Sequence, residues 1–407
     1  MDIVERFLNY TKFNTTTNKE NGLKGIMPSN PTEYELAKFI KDELSSLGIK
    51  DIILQDNAIL IAKIPANCEN APSIAFFAHL DTSSEQKNDT KAKIVKYTGG
   101  DICLNEEQGI YLKFSDNPEL KKYEGDDIVV TDGTSLLGAD DKAAIASIVN
   151  MASYFMQNPD VKHGKIVICF VPDEEQGLLG AKALDAKALG ANFGYCLDCC
   201  EIGELIYENW NAADCTMVFK GVSAHPMNAK GKLVNSLLLA HKFISLLPGG
   251  EVPECTEGKE GYFWVKELSG NSAKTMLKID IREFDEPKFQ KRLEFLSDMA
   301  NSFNKIYGDC CEITLTTRYE NVFKFLKDEN SLPIKLAKDA FAELNITPNI
   351  KPMRGGYDGA AISAKGVLTL NLFTGANNFH SIYEYLPVSS LKASSEVIKK
   401  IIINAAK

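Results

Sequence analysis

Residues 73–81 read SIAFFAHLD, an apolar run that ends in His79 and has Asp81 two positions further on. Residues 166–177, IVICFVPDEEQG, follow a similar pattern, in which an apolar run is followed by the adjacent glutamates Glu174 and Glu175. Continuous apolar runs of this length are typical of strands that are buried on both faces of a sheet. Both stretches therefore predict an α/β sheet with acids and imidazoles at the ends of its strands.

Three more candidate ligands follow apolar or glycine-rich segments elsewhere in the chain. They are Asp140 in LLGADDKAA, Asp198 in FGYCLD and His380 after TLNLFTGANNF. Zinc in proteins takes imidazole nitrogen and carboxylate oxygen, and catalytic zinc sites leave one position open for water. The pattern predicts the site of a two-zinc hydrolase, with metal ligands His79, Asp140, Glu175, Asp198 and His380.

Each of these signals also has a purely structural explanation. A histidine beside an acid, as in residues 79–81, is often a buried ring that its neighbour satisfies. An acid at the start of a helix, such as Asp140, is favoured by the helix dipole. Two adjacent glutamates before Gly177 also suit a solvated loop. The metal hypothesis therefore depends on the whole set rather than on any single member.

The chemistry assigns different tasks to the acids. Glu175 would bind metal, while Glu174 would take a proton from the attacking water and return it to the leaving amine. Adjacent residues on a strand face opposite ways, so both glutamates reach one site only if the chain turns there. Asp81 would accept the proton of the second imidazole nitrogen of His79 and fix its tautomer. One of the ligand carboxylates must bridge the two ions.

Composition restricts the class of protein. The chain has 407 residues and a formal net charge of −10, which argues against nucleic acid as a partner. No segment approaches the ~18 apolar residues of a membrane span, and residues 1–17 lack the apolar core of a signal peptide. The ten cysteines are therefore expected to stay reduced, and the location is predicted to be cytoplasmic.

The hydrophobic pattern changes after about residue 210, which predicts an inserted domain. Strands and helices are expected there in the order β-α-β-β-α-β, the arrangement of ferredoxin-like domains. The predicted fold is an α/β, mixed-sheet catalytic domain with a ferredoxin-like insert. The predicted boundaries are 1–210 and 323–407 for the catalytic domain and 211–322 for the insert.

Several segments, taken in order, resemble the co-catalytic zinc peptidase family that includes aminoacylase and succinyl-diaminopimelate desuccinylase. Within that family the resemblance is strongest to enzymes that cleave tripeptides. The segments cover nearly the whole chain: FNTTTN, HLDTS, LLGADDKA, PDEEQG, GVSAHPMNAKGKLVNS, EGKEGYF, IREFD, RGGYDGA and NLFTGANNFH.

The resemblance implies how the ligands are shared. His79 and Asp198 would bind one zinc ion, Glu175 and His380 would bind the other, and Asp140 would bridge them. It also implies a cis peptide bond after Asp140. Mn²⁺ or Co²⁺ could substitute for zinc in a site rich in carboxylates.

The resemblance further implies residues that act on the substrate. Glu174 would be the general base and Asp81 the orienting acid. His225 would stabilise the oxyanion, and in dimeric relatives this histidine can come from the partner subunit. The insert would serve as a lid and dimerisation domain, with a homodimer as the expected assembly. The predicted substrate-binding residues are Arg282, Arg354 and Asn378.

The expected activity is that of an aminopeptidase which removes the N-terminal residue from short peptides with a free N-terminus, tripeptides by preference. Dipeptidase, carboxypeptidase and N-acyl-amino-acid deacylase activities on the same scaffold are the alternatives. A binding protein without turnover is disfavoured, because such a protein has no use for the proton shuttle Glu174. Cys196 and Cys199 flank Asp198, so a cysteine-ligated variant is considered beside simple packing of buried thiols.

Overall fold

The structure is a computed structural model that describes residues 1–326 and 328–407. The chain divides into two compact units. The first contains residues 1–207, 325–351 and 357–407, and the second contains residues 208–324 and 352–356. The predicted boundaries at about residues 210 and 322 lie within three residues of the main divisions. The second unit also takes a short segment that the prediction placed in the catalytic domain.

The first unit starts with three helices, continues with seven strands, and reaches residue 207 through two further helices and three further strands. Its elements are α1 (Ile3–Tyr10), α2 (Lys19–Leu23), α3 (Thr32–Ser46), β1 (Asp51–Leu54), β2 (Leu60–Ile64), β3 (Ile74–His79), β4 (Lys93–Lys96), β5 (Ile102–Asn105), β6 (Ile110–Leu112), β7 (Asp127–Val130), α4 (Ala139–Gln157), β8 (Ile166–Val171), α5 (Leu179–Ala183), β9 (Phe193–Cys199) and β10 (Leu205–Ile206).

The chain then forms the second unit and returns to the first. The second unit has β11 (Asn211–Lys220), α6 (Ser236–Ile244), β12 (Tyr262–Gly270), β13 (Lys274–Glu283), α7 (Glu286–Tyr307) and β14 (Cys311–Tyr319). The returning chain has α8 (Leu332–Glu343), α9 (Asp358–Ala364), β15 (Thr369–Phe373), β16 (Tyr385–Pro387) and α10 (Val388–Asn404). Among the described residues, no helix combines the length and apolarity needed to cross a bilayer.

A mixed seven-stranded sheet is the core of the first unit. Its strand order is β1-β2-β8-β3-β9-β15-β10. The central strands β8, β3, β9 and β15 are parallel, and the outer strands are antiparallel to their neighbours. Every residue of β3 and β8 is buried, as their continuous apolar sequences predict. The predicted α/β mixed-sheet fold class is confirmed.

The second unit has the element order β-α-β-β-α-β. Its four strands form one antiparallel sheet in the order β12-β13-β11-β14. Helices α6 and α7 pack against this sheet. Phe219, Phe243 and Phe303 meet in its core, with ring centroids between 5.3 and 6.3 Å apart. This unit therefore has a hydrophobic core of its own.

Three features of the first unit differ from the sequence prediction. The sequence over residues 178–188 has a helical pattern of apolar residues, but the helix spans only Leu179–Ala183, because Leu184 has an extended backbone that ends it. Strand β1 alternates between exposed and half-buried residues, since it is an edge strand. Strands β4, β7 and β16 form a separate small sheet, which short and partly polar sequences did not reveal.

Candidate metal centre

The ends of four neighbouring parallel strands bring the predicted ligands together. Strand β3 ends at His79, and β9 contains Asp198 near its end. The glutamates follow β8, and His380 follows β15. Because the carboxyl ends of parallel strands meet at one edge of a sheet, side chains far apart in sequence become neighbours there.

Two groups of side chains in this region could each hold a metal ion. In each group the ligand atoms lie within 4.8 Å of one another. Asp140 belongs to both groups, which is the arrangement that a bridging carboxylate requires. The first group is His79, Asp140, Asp141 and Asp198, and the second is Asp140, Glu175 and His380.

Asp140 faces both histidines, one with each carboxylate oxygen. Its Oδ1 lies 3.0 Å from Nε2 of His79, and its Oδ2 lies 3.1 Å from Nε2 of His380. Burial raises the pKa of Asp140, but the hydrogen bonds from the two rings outweigh burial and hold this pKa well below its usual value. Asp140 is therefore an ionised carboxylate between two imidazoles.

The backbone at Asp140 departs from the helix in which it stands. Asp140 and Asp141 have non-helical dihedral angles at the start of α4, and the peptide bond between them is cis. Oδ2 of Asp141 accepts a hydrogen bond of 3.1 Å from the backbone N–H of His79. This acid thus links the start of α4 to the end of β3.

The two adjacent glutamates reach the site through a sharp turn. Asp173 has a φ of +55°, an uncommon conformation for a residue with a side chain, and it bends the chain directly after β8. The backbone N–H groups of Glu174 and Glu175 then donate to the carboxylate of Asp81 at 2.9 and 3.0 Å. Burial raises the pKa of Glu174 well above its usual value. Glu174 is thus a half-buried carboxyl group with increased proton affinity.

The ring of His79 is oriented mainly by backbone oxygen. Its Nδ1 lies 3.0 Å from the carbonyl oxygen of Asp81 and 3.4 Å from Oδ1 of the same residue. In the neutral tautomer with a proton on Nδ1, Nε2 is an acceptor, which is the form of the ring that binds a metal ion. The sequence predicted this orienting task for the Asp81 carboxylate, whose oxygens also accept hydrogen bonds from the turn that carries Glu174 and Glu175.

His380 contributes the ligand from the far end of the chain. Its Nε2 lies 2.7 Å from Oε1 of Glu175, and its φ is +62°. Hydrogen bonds to Asp140 and then to Glu175 raise the pKa of this imidazole to about 11. A non-glycine residue at positive φ is strained, so the loop fixes the position of this ring at a cost in conformational energy.

The residues fit a pair of divalent ions. The donor atoms are imidazole nitrogens and carboxylate oxygens, which zinc prefers. Burial raises the pKa values of Asp198 and Glu175, and the charges of neighbouring acids add to this effect. Divalent cations would stabilise these acids in their ionised forms.

Two residues that support the site were not predicted from the sequence. Glu384 is buried and accepts hydrogen bonds from the backbone N–H groups of Leu137, Gly138 and Asp140 at 2.8 to 3.0 Å. Asn371 is buried in β15 and contacts the backbone of Asp198. A polar residue inside an apolar run, as in TLNLF, was the signal that could have indicated Asn371.

The predicted substrate residues have well-defined contacts within their own units. In the first unit, the amide of Asn378 donates to Oδ1 of Asn117 at 2.7 Å and to the carbonyl of Tyr383 at 3.1 Å. These bonds hold the loop before His380. A role for Asn378 in substrate binding stays a prediction.

The other two predicted substrate-binding residues, and the predicted oxyanion donor His225, lie in the second unit. Nε of Arg282 lies 2.9 Å from Oδ1 of the buried Asp280. The guanidinium of Arg354 stacks on the ring of Trp210, with 4.7 Å to its centroid. His225 is exposed, and its Nδ1 accepts a hydrogen bond from Met227. Their contact with substrate stays a prediction.

The cysteines around Asp198 are packing residues in this structure. Cys196 and Cys199 are buried, and burial raises the pKa of both thiols well above the usual value. Burial therefore favours the neutral form of both thiols. The two ligand groups found among the described residues contain carboxylates and imidazoles only.

This fold and this donor set define a metallopeptidase. The model of peptidase family M20/M25/M40 matches residues 132–404, and that of peptidase family M28 matches residues 60–198. A peptidase T-like protein of Yersinia pestis is 40% identical over 407 residues, covering 100% of this chain and 98% of the relative. Peptidase T of Geobacillus kaustophilus is 40% identical over 405 residues, covering 98% of this chain and 97% of the relative. The chain belongs to peptidase family M20/M25/M40, as the sequence resemblance implied.

Solved structures agree with the fold. Aminopeptidase PepT of Bacillus cereus superposes with a TM-score of 0.79 at 23% identity, covering 100% of this chain and 98% of the other. A dinuclear metal-binding peptidase of the M20 family from Bacillus subtilis has a TM-score of 0.65 at 16% identity, covering 99% and 98%. At these identities the likeness concerns the fold.

Proposed function

We propose that this enzyme is a two-zinc aminopeptidase that removes the N-terminal residue from short peptides, tripeptides by preference. The observation that carries the proposal is that Asp140 is shared by two ligand groups. His79 and Asp198 would hold one ion, and Glu175 and His380 would hold the other. The peptidase T relatives, which match over the full chain, support the choice of substrate.

The acids around the ions divide the work of hydrolysis. The chemistry that a bound pair of zinc ions would supply is a lowered pKa of water and polarisation of the scissile carbonyl. Glu174 takes the proton of the attacking water and delivers it to the nitrogen of the leaving amine. The raised pKa of Glu174 suits this task, because a carboxylate with increased proton affinity is a better base near neutral pH. The carboxylate of Asp81 accepts a hydrogen bond from the backbone N–H of Glu174 and so holds Glu174 in position.

His225 is proposed as the donor that stabilises the developing oxyanion. Its Nδ1 accepts a hydrogen bond of 3.2 Å from the backbone N–H of Met227. In the neutral ring the proton therefore sits on Nε2, which makes Nε2 a hydrogen-bond donor. An exposed ring with a fixed tautomer is the form that a donor to substrate needs.

Arg282 and Arg354 are proposed to bind the C-terminal carboxylate of the peptide, for which a guanidinium offers paired donors. Both are held by neighbours, Arg282 by Asp280 and Arg354 by Trp210. A guanidinium that is already oriented loses less freedom on binding.

We further propose that the enzyme acts in the cytoplasm and forms a homodimer through its second unit. Leu238 and Trp264 of that unit expose 60% and 43% of their surface, which a partner subunit could cover. Sedimentation velocity of the wild type and of a Leu238→Glu variant would test the dimer. A monomeric wild type would contradict it.

Metal analysis combined with one set of peptides tests the proposed function. The chelated protein is reloaded with zinc, and its metal content is measured together with hydrolysis of Leu-Gly-Phe, N-acetyl-Leu-Gly-Phe and Leu-Gly. The expected result is two ions per chain and leucine as the first product of the unblocked tripeptide. Parallel loading with Mn²⁺ or Co²⁺ identifies the metal that supports turnover.

Each rival activity gives a different product pattern. Phenylalanine as the first product would indicate a carboxypeptidase, and faster turnover of the acetylated peptide would indicate a deacylase. Preference for Leu-Gly would indicate a dipeptidase. Binding of a single ion, or of none, would overturn the two-metal site itself.

A further inference from the structure

Strand β9 contains a β-bulge at Asp198. Strands β9 and β15 run parallel, and their residues pair one to one from Gly194 with Thr369 to Leu197 with Leu372. The next pair is Cys199 with Phe373, so Asp198 is an extra residue without a partner on β15. Bulges interrupt the hydrogen bonds of the ladder and re-aim the side chain of the bulged residue.

The side chain of Asn371 takes over the hydrogen bonds that the bulge interrupts. Its Oδ1 accepts a hydrogen bond of 2.8 Å from the backbone N–H of Asp198, and its Nδ2 donates one of 3.0 Å to the carbonyl oxygen of Asp198. A primary amide is the side chain that offers an acceptor and a donor on neighbouring atoms. Both backbone groups of the bulged residue are therefore satisfied by one side chain.

The surroundings of Asn371 show that this amide is not a general packing residue. Asn371 is fully buried, and its neighbours Leu370 and Leu372 on β15 are buried and apolar. A buried amide is costly unless it is hydrogen-bonded, and a leucine would suit this strand better. A leucine would, however, leave the N–H and C=O of Asp198 without partners inside the protein.

We propose that Asn371 is a positioning residue that stabilises the bulge and so aims the carboxylate of Asp198 at the metal centre. The carboxylate lies in one ligand group with His79 and Asp140, all within 4.8 Å. In a regular strand, successive side chains point to opposite faces, and the extra residue changes this alternation. The inference rests on the proposed function, since it concerns the zinc ion that Asp198 would share with His79.

Metal binding by two variants tests the role of Asn371. Asn371→Leu removes the donor and the acceptor, whereas Asn371→Asp keeps an acceptor and loses the donor. Zinc content and affinity are measured by competition with a chelator. The expected result is that Asn371→Leu keeps one ion tightly and binds the second about 10–100-fold more weakly, with Asn371→Asp in between.

A matched control separates positioning from general stability. Leu370 is the buried neighbour on the same strand, and Leu370→Ala is expected to lower the melting temperature while both ions bind as in the wild type. Hydrogen exchange of the metal-free protein gives a second readout. The amide of Asp198 is expected to exchange faster in Asn371→Leu and at the wild-type rate in Leu370→Ala.

The outcomes distinguish this inference from the proposed function. A wild type that binds fewer than two ions overturns the proposed function. A wild type that binds two ions, matched by Asn371→Leu in number and affinity, overturns only the role of Asn371. Should Asn371→Leu not fold, the same comparison with Asn371→Asp decides.

Discussion

Oδ1 of Asp81 accepts a hydrogen bond of 2.9 Å from the backbone N–H of Glu174. Oδ2 of the same carboxylate accepts one of 3.0 Å from Glu175, and Nδ1 of His79 lies 3.4 Å from Oδ1. One buried acid therefore connects a proposed metal ligand on β3 with the turn that carries the proposed base. Asp81 therefore contributes to the proposed reaction indirectly, by fixing the positions of His79, Glu174 and Glu175.

Replacing Asp81 with asparagine tests this linkage. The amide keeps one acceptor, but its NH₂ group faces a backbone N–H, so the glutamate turn loses a hydrogen bond. We expect kcat to fall about 10–100-fold while the fold persists. Tripeptide kinetics and a melting curve measure this, with Asp42→Asn on the exposed face of α3 as control. Equal kcat in both variants would contradict the role of Asp81.

The proposed proton shuttle predicts a separation of metal binding from turnover. Glu174→Gln preserves the size of the side chain but cannot accept the proton of water. We expect zinc content to stay at the wild-type value while kcat falls by about 10²–10⁴-fold or more. Glu175→Gln is the contrasting variant, because it is expected to lose an ion. A fully active Glu174→Gln protein would remove Glu174 from the mechanism.

The proposed oxyanion donor predicts a defect in kcat alone. His225→Ala removes the Nε2 donor, and we expect kcat to fall about 10²–10³-fold with unchanged zinc content. His241→Ala, which replaces an exposed histidine of the same unit, serves as the control. If His225→Ala kept the wild-type kcat, His225 would have a structural role only.

Glu384 is not a proposed metal ligand, but its replacement is expected to weaken metal binding. Its two oxygens accept three backbone N–H groups between Leu137 and Asp140. In Glu384→Gln, an NH₂ group replaces one acceptor, so the loop that carries Asp140 is held less well. We expect zinc affinity to fall about 10–100-fold, measured by chelator competition. Glu396→Gln, at a solvent-accessible position of α10, is the control, and equal affinities would refute the expectation.

Buried thiols predict a loss of stability in alkaline solution. Burial, assisted by the charge of Asp214, raises the pKa of Cys215 to about 12 in the folded protein. The unfolded thiol has a pKa of about 8.5, so the neutral buried form contributes stability below that pH and loses it as the pH rises toward 12. Melting temperatures between about pH 7 and 10.5 should fall, and less steeply in Cys215→Ala. An equally steep fall in that variant would exclude Cys215 as a cause.

The sequence predicted the main sheet well because its central strands are largely apolar. The continuous runs over 73–78 and 165–171 became β3 and β8, which are buried on both faces. Short strands such as β5 and β6 were not predicted, since a few residues with mixed polarity carry no clear period. Helix α5 was predicted too long, because the apolar pattern continues past the point where the backbone turns at Leu184.

The site was predictable where chemistry leaves few choices and unpredictable where backbone geometry decides. Acids and histidines at strand ends are conspicuous in the sequence, and the structure gathers the five predicted ligands into two groups that share Asp140. The turn at Asp173 and the bulge at Asp198 have no signature in residue type. Glu384 and Asn371 support irregular backbone of this kind, so their roles became visible only in three dimensions.

The first unit is assembled from three separate stretches of chain, and its proposed ligands extend from His79 to His380. A ribosome makes the polypeptide from the N-terminus at about 5–20 residues per second. The nascent protein therefore cannot complete the second ligand group until nearly all of these 407 residues have been synthesised. With the proposed ligand set, binding of the second ion would have to follow the synthesis of residue 380, and a chain that stops before this residue would lack one of the proposed ligands.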